Sequence, residues 1–407
     1  MVDAAASFGI DTSKPGQAAS TPQAGKAVRF DVSAITPEML ADYARLCANG
    51  VVAPAQSSLW VENWVSQIGP DGLIAAISSG EATVFALALE VVEAGPFRVA
   101  RFMGGTHANG NFAPVLPAWL QTTTAAQIAA LTRAIRTARP DIDALVLQRI
   151  ATDLDGVANP LLALSHAPTP NIALSVNLDG GFDAVLERTS ARRKRKKHRA
   201  QTRKFEAAGG YRRFIAQSPE ETRRLFDAFL AMKVDRFRKM GITNVFEDAG
   251  LQAFFHALFA ASLKADRPIF TLEALEVGGT LRAITGTSQC GRRLICEFGA
   301  ISDDELAASS PGEFLFYENI SEACADGFGI YDFSVGDEPY KRLWCDTETR
   351  HVDIVLPLSA KGRIFTTGTR ATARLKAFIK NSPLAWKITK ALRKRAAGAP
   401  AASSTED

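Results

Sequence analysis

Cysteine is scarce and scattered in this chain of 407 residues: Cys47, Cys290, Cys296, Cys324 and Cys345, with no C-x-x-C spacing. That excludes a disulfide framework and a thiolate metal site. Histidine is equally thin, and His107, His166, His198, His256 and His351 show no metal-ligand spacing, so no metal is expected. His256 falls among phenylalanines on an amphipathic run and reads as structural. No Ser-His-Asp or Cys-His set can be inferred. No apolar run approaches the roughly 20 residues that span a bilayer. The opening Met1-Val2-Asp3-Ala4-Ala5 has neither the positive nor the apolar region of a signal peptide. These absences point to a cytoplasmic protein.

Two stretches are densely basic and hold no acid. Ten Lys or Arg lie between Arg188 and Lys204, and eleven between Lys361 and Arg395, with no Asp or Glu in either. The other 26 bases face all 43 acids, so the formal net charge of +4 hides a remainder near −17. Basicity is therefore a local device, and such a block favours an anionic partner over a merely solvated face. A hydrophobic content of 47% with 22% charge is that of a soluble globular protein, which excludes disordered, collagenous and fibrous classes. The length calls for two or three domains.

Residues 1–27 are rich in Ala, Ser, Gly, Pro and Thr and read as a disordered N-terminus. Thr36 before Pro37 predicts a helix start. β-rich runs at 73–77 and 82–92 flank a turn at 78–81, and a helix over 125–138 leads to a strand at 144–147. The second half predicts a long basic helix over 182–208 that ends at Gly209-Gly210, and a strand at 211–216. Ser218-Pro219-Glu220-Glu221 is a capping box before a helix ending at Gly241, and a further helix covers 250–264. Strands at 269–277, 280–290 and 292–299, a helix from Pro311 to about residue 326, and strands at 330–335 and 351–356 complete the series. Its order is β-α-α-β-β-β-α-β-β.

Three blocks carry a resemblance: Ser190-Ala191-Arg192-Arg193-Lys194-Arg195 with Arg203-Lys204-Phe205-Glu206-Ala207-Ala208-Gly209-Gly210; Ser310-Pro311-Gly312-Glu313-Phe314-Leu315; and Tyr331-Asp332-Phe333 with Gly336-Asp337-Glu338, Tyr340-Lys341 and Trp344. Together with the element order they resemble the CelD-type (cellulose-biosynthesis) acetyltransferases of the GNAT superfamily, which are similar to the FemAB-type aminoacyltransferases. The resemblance is strongest over about 185–345. It implies an α/β fold of two GNAT-like domains in tandem, with mixed, largely antiparallel sheets flanked by helices. The division it suggests is a domain at 28–175, an acyltransferase domain at 176–358, and a basic amphipathic tail at 359–407. The implied co-substrate is acetyl-CoA or another acyl-CoA. The implied reaction is acylation of an amine or hydroxyl on a cell-envelope or exopolysaccharide precursor. One departure stands out: Ala307-Ala308-Ser309-Ser310-Pro311-Gly312 occupies the place of the usual glycine-rich pyrophosphate loop. The alternatives are aminoacyl transfer from charged tRNA, and a non-catalytic, membrane-associated adaptor for polysaccharide synthesis.

Each candidate site has a functional reading beside a plain one. Ser309, Ser310, Pro311 and Gly312 open a helix after a loop, where backbone N–H groups and the helix dipole suit a phosphate; the alternative is an ordinary N-cap. Tyr340 follows a strand and, by the resemblance, would protonate the departing thiolate. Asp332, mid-strand, is a candidate base or a partner for a nearby Arg. Glu297 is a second candidate base if buried, or the partner of Arg292 or Arg282. Lys341 suits a phosphate or developing negative charge, and Asp337 and Glu338 are substrate contacts or turn formers. Arg192, Arg193 and Lys196 belong to the basic helix, which has Lys or Arg on every face of its middle and reads as a clamp for an anionic acceptor, a membrane-headgroup contact or, less well, a contact to tRNA. The tail at 361–395 alternates bases with Leu375, Phe378, Ile379, Leu384, Trp386, Ile388 and Leu392, which suits the inner face of an anionic membrane or docking on its own domain.

Overall fold

The computed structural model describes residues 27–121, 125–241 and 243–381, with side chains to residue 372. Nearly all of the N-terminal segment 1–27 and the tail beyond 381 lie outside the described residues. Two seven-stranded sheets organise the rest. The first half supplies β1 (Val28–Ala34), α1 (Pro37–Asn49), α2 (Ser58–Ile68), β2 (Gly72–Ser79), β3 (Ala82–Ala94), β4 (Phe97–Phe102), α3 (Pro117–Leu120), α4 (Ala125–Ala138) and β5 (Ala144–Ile150). A two-stranded ribbon, β6 (Asp153–Leu154) and β7 (Val157–Ala158), precedes β8 (His166–Pro168) and β9 (Ala173–Asn177). Local chemistry sets many of these bounds. Thr36 accepts the Met39 N–H at 3.3 Å, and α2 ends on Gly69 at φ 61°, a conformation open to glycine.

The second half follows with α5 (Gly181–Arg188), α6 (Ala191–Ala207), β10 (Tyr211–Ile215), α7 (Pro219–Met240), α8 (Ala249–Ser262), β11 (Phe270–Val277), β12 (Thr280–Cys290) and β13 (Arg293–Ile301). Then come α9 (Pro311–Ala325), β14 (Ile330–Val335), α10 (Pro339–Arg342), β15 (Thr347–Thr349), β16 (Val352–Pro357) and α11 (Ala360–Asn381). The expected long basic helix is two helices: Ser190 adopts φ 79° and breaks α5 from α6. The capping box at Ser218 closes as its residues require, with the Glu221 N–H donating to Ser218 Oγ at 3.1 Å and the Gln217 N–H to Glu221 at 2.8 Å.

The sheet orders are β1-β2-β3-β4-β5-β16-β8 and β10-β11-β12-β13-β14-β9-β15. In each, four strands form an antiparallel meander, the fifth joins in parallel after a helical crossover, and the last two are antiparallel. The two halves thus repeat one α/β plan. β9 pairs with β14 in the second sheet, while β16, which a division at residue 358 assigns to the second half, pairs with β5 in the first. An apolar core also joins the halves. Trp60 and Trp64 of α2 meet Phe254 of α8 edge-on, each at 4.9 Å, within a cluster that includes Phe226, Phe229, Phe255 and Phe270.

Candidate active site

Parallel pairing of β13 with β14 is confined to Arg293–Ile295 against Ile330–Asp332. Beyond it β13 runs on to Ile301 and β14 to Val335 without that ladder, so the strands part and leave a mouth between them. A β-bulge marks the opening: Gly286 of β12 faces Phe298, but Thr287 faces Cys296, which leaves Glu297 as the extra residue. Gly286 is required here because a Cβ would strike the Phe298 ring. Bulges re-aim side chains, and Glu297 lines a cavity of about 400 Å³ in this mouth.

The same cavity is lined by Phe298, Ser334, Glu338, Tyr340 and Lys341 of the second sheet and its loop. Lys233 and Arg236 of α7 line it too, as do Trp60, Thr106, His107 and Asn109 of the first half. Glu297 pairs with neither Arg292 nor Arg282: Ser288 Oγ donates to it at 2.6 Å, while Arg292 meets Asp179 and Arg282 meets Asp304 and Glu305. Desolvation, opposed by the Ser288 hydrogen bond, pushes its carboxyl up to about 7. Tyr340 stacks on Phe316 with ring centroids 5.5 Å apart, and burial moves its phenol upward. Burial brings Lys233 down to about 8 and His107 to about 4, so the imidazole is neutral at pH 7. It also pushes the Cys296 thiol up to about 12, which leaves no thiolate nucleophile in the cavity wall.

The other sequence candidates either lie outside the cavity or are held by neighbouring groups at its wall. Asp332 is outside the cavity lining, and both its oxygens are engaged: Arg293 donates to one at 2.8 Å and the Ser334 N–H to the other at 2.7 Å. Lys341 is buried, its Nζ donating to Val335 O at 3.0 Å and pairing with Glu338 at 2.9 Å. Asp337 holds Arg342 at 2.6 Å. At the start of α9, the Ser309 N–H bonds Leu306 O at 2.8 Å, the Ser310 N–H bonds Ala307 O at 3.0 Å, and Pro311 has none to give. The bare face of Gly312 is filled, since a Cβ there would stand 2.7 Å from Ile301 Cγ2. Gln201 of α6 covers the junction, donating to Ser309 O at 2.8 Å and Ser310 O at 3.1 Å. The four residues expected to cradle a phosphate are thus largely engaged by the protein itself.

A second hollow of about 930 Å³ adjoins the first through Arg236 and Met240. It runs past Leu281 and Ile301 to Ala307, with Arg212, Arg224 and Lys239 on its walls. The first hollow follows the free part of β13, and the second continues from the end of that strand under α7 to the β11–β12 turn. Arg192, Arg193 and Lys196 line neither part; with Ser190 and Ala191 they border a shallow surface depression.

Residues 192–342 match the sequence model of a family described as an acetyltransferase (GNAT) domain. The second half therefore carries a GNAT acetyltransferase domain, and the chain is an acyltransferase. Among solved structures, FemX is similar at 12% identity, covering 83% of this chain and 99% of its own, with a TM-score of 0.56. A conserved protein of unknown function from Bacteroides thetaiotaomicron is similar at 13% identity, covering 81% of this chain and 100% of its own, with a TM-score of 0.49. The C-terminal domain of a putative lysylphosphatidylglycerol synthetase from Agrobacterium fabrum is similar at 11% identity, covering 84% of this chain and 96% of its own, with a TM-score of 0.49. No curated protein sequence matches the chain.

Proposed function

We propose that an acyl group passes from a CoA thioester to an amine or hydroxyl in the cavity between β13 and β14. The observation that carries this is the parted pair of strands, with a raised-pKa carboxylate at the bulge of one and a tyrosine after the other, facing one cavity. The acceptor nitrogen or oxygen attacks the thioester carbonyl carbon directly, and Glu297 takes its proton. The C–S bond breaks, and the departing thiolate takes the Tyr340 proton. With the Cys296 thiol neutral at pH 7, no covalent enzyme intermediate is needed. The hollow past Ile301 accommodates the donor's long arm, and Arg236 suits its phosphates, while Lys239 beside it pairs with Asp303. The three sequence blocks support an acceptor on a cell-envelope or cellulose-type polysaccharide precursor.

One observation favours a second reading. At the start of α9 the Ser309, Ser310, Glu313 and Phe314 amides are bonded and the glycine is covered, so it offers little to a pyrophosphate. An aminoacyl ester carried by tRNA needs no such cradle, and the chain shares its fold with FemX.

Calorimetric titration with acetyl-CoA, alongside thiol release in the presence of amine- and hydroxyl-bearing envelope sugars, separates the two. The expected result is binding to wild type and Tyr340→Phe but weaker binding to Arg236→Glu. Turnover of Tyr340→Phe should fall by about 10²–10⁴-fold. No heat with acetyl-CoA or longer acyl-CoAs sinks the CoA reading, and loss of transfer after RNase treatment establishes the tRNA one.

A further inference from the structure

The basic helix α6 has two unlike faces. Lys194, His198, Gln201 and Phe205 recur every three or four residues, and with Lys197 beside His198 they are tied down. Lys194 Nζ lies 3.4 Å from the Trp344 ring centroid, Lys197 pairs with Glu313, and His198 stacks on Phe314 and Tyr317 at 4.6 and 4.0 Å. Gln201 caps the loop before α9, and Phe205 is fully buried against Phe314. The notion of Lys and Arg on every face thus gives way to a docked face and a free one.

On the free face Arg192, Lys196, Arg199 and Arg203 follow at steps of four, three and four, so they form one row along the helix. All four are exposed, and Arg193 and Lys204 flank them, exposed as well. Among the described residues none of these six has a carboxylate partner, although Arg188, Arg195 and Lys197 beside them do. The row runs straight for about 16 Å. Because the docked face fixes the helix, the cations are held out together on a rigid support.

We propose that this row is a docking surface for an anionic membrane, through lipid headgroup phosphates. A flat sheet of negative charge matches a straight row with one cation per turn, and each Lys or Arg near such a surface adds about five-fold to binding. The one ring between the cations of the row, His198, is stacked on the docked face, so the free face lacks the stacking platform that single-stranded nucleic acid uses. Stable peripheral anchoring needs a second signal beside a polybasic patch. The sequence supplies one in the bases-only, apolar-studded stretch 361–395.

The test is co-sedimentation of the full chain with vesicles of phosphatidylcholine alone and with roughly 30% phosphatidylglycerol, at about 0.05 M and 0.5 M salt. Wild type is compared with Arg192→Gln/Lys196→Gln/Arg199→Gln/Arg203→Gln and with a control of equal charge loss, Arg29→Gln/Arg133→Gln/Arg136→Gln/Lys264→Gln. All eight side chains are exposed, so both variants should fold, and thermal unfolding checks it. The expected result is salt-sensitive binding to anionic vesicles only, weakened more than about a hundred-fold by the row variant and far less by the control. Equal weakening by both variants, an unchanged row variant, no vesicle binding, or row-dependent binding of bulk tRNA without binding of vesicles each overturns the proposal.

Discussion

Glu297→Gln isolates the electrostatic state of the cavity without knowledge of any substrate. Burial raises the Glu297 carboxyl from 4.5 to about 7, while in the unfolded chain it returns to its ordinary value. Between those two pH values the folded protein holds a proton that the unfolded chain has released, so stability falls as pH rises. The favourable contribution is complete below about pH 4.5 and gone above about pH 7. A tenfold change in proton affinity corresponds to about 1.36 kcal/mol, so the full change comes to about 3 kcal/mol. Gln is neutral throughout and can still accept the Ser288 hydrogen bond. Urea unfolding of wild type and Glu297→Gln at about pH 5 and pH 8 therefore has a definite expectation. The two should lie close together at the lower pH, and the variant should exceed wild type by about 2–3 kcal/mol at the higher. Parallel stability curves across that range would show that Glu297 is not desolvated and would remove the reason for assigning it as a base.

Two further expectations concern side chains around the site. Burial brings Lys194 down to about 8 above the Trp344 ring, so part of the tryptophan fluorescence should titrate near that pH and cease to do so in Lys194→Met and in Trp344→Phe. Gly312→Ala should lower stability by about 1–2 kcal/mol even though alanine is the better helix former, because the new methyl meets Ile301; a more stable variant in thermal unfolding would show that the space is open.

Much of the second half was legible because its punctuation is local. Ser218, Gly241 and the tight turns at 278–279 and 291–292 bound elements that form nearly where those residues place them. Glu297 could be singled out because a carboxylate amid apolar strand residues stands out in a linear reading, and Tyr340 because the resemblance implies a tyrosine after that strand. What brings other residues to the cavity is non-local. His107 and Asn109 come from a glycine-rich loop of the first half, and Lys233 and Arg236 from a helix that precedes β13 by more than one element. One signal was there to be used: Lys233 lies four residues from both Phe229 and Phe237, on the stripe that faces inward. The break at Ser190 left none, since a serine in left-handed conformation looks like any other N-cap candidate. The filling of the space at Gly312 depends on Ile301, whose contact follows only from packing.

The exchange of strands between the halves has a consequence for how the protein comes into being. β8 reaches the first sheet only through β16, and β16 is made some 200 residues after β5, its other neighbour. A nascent first half emerging from the ribosome therefore carries an open sheet edge along β5 until β16 has been synthesised. The acyltransferase half must be synthesised before that edge can close. Closure at 352–357 completes the first sheet with a strand made after the second half, and a chain cut between the halves would leave that sheet without its clasp.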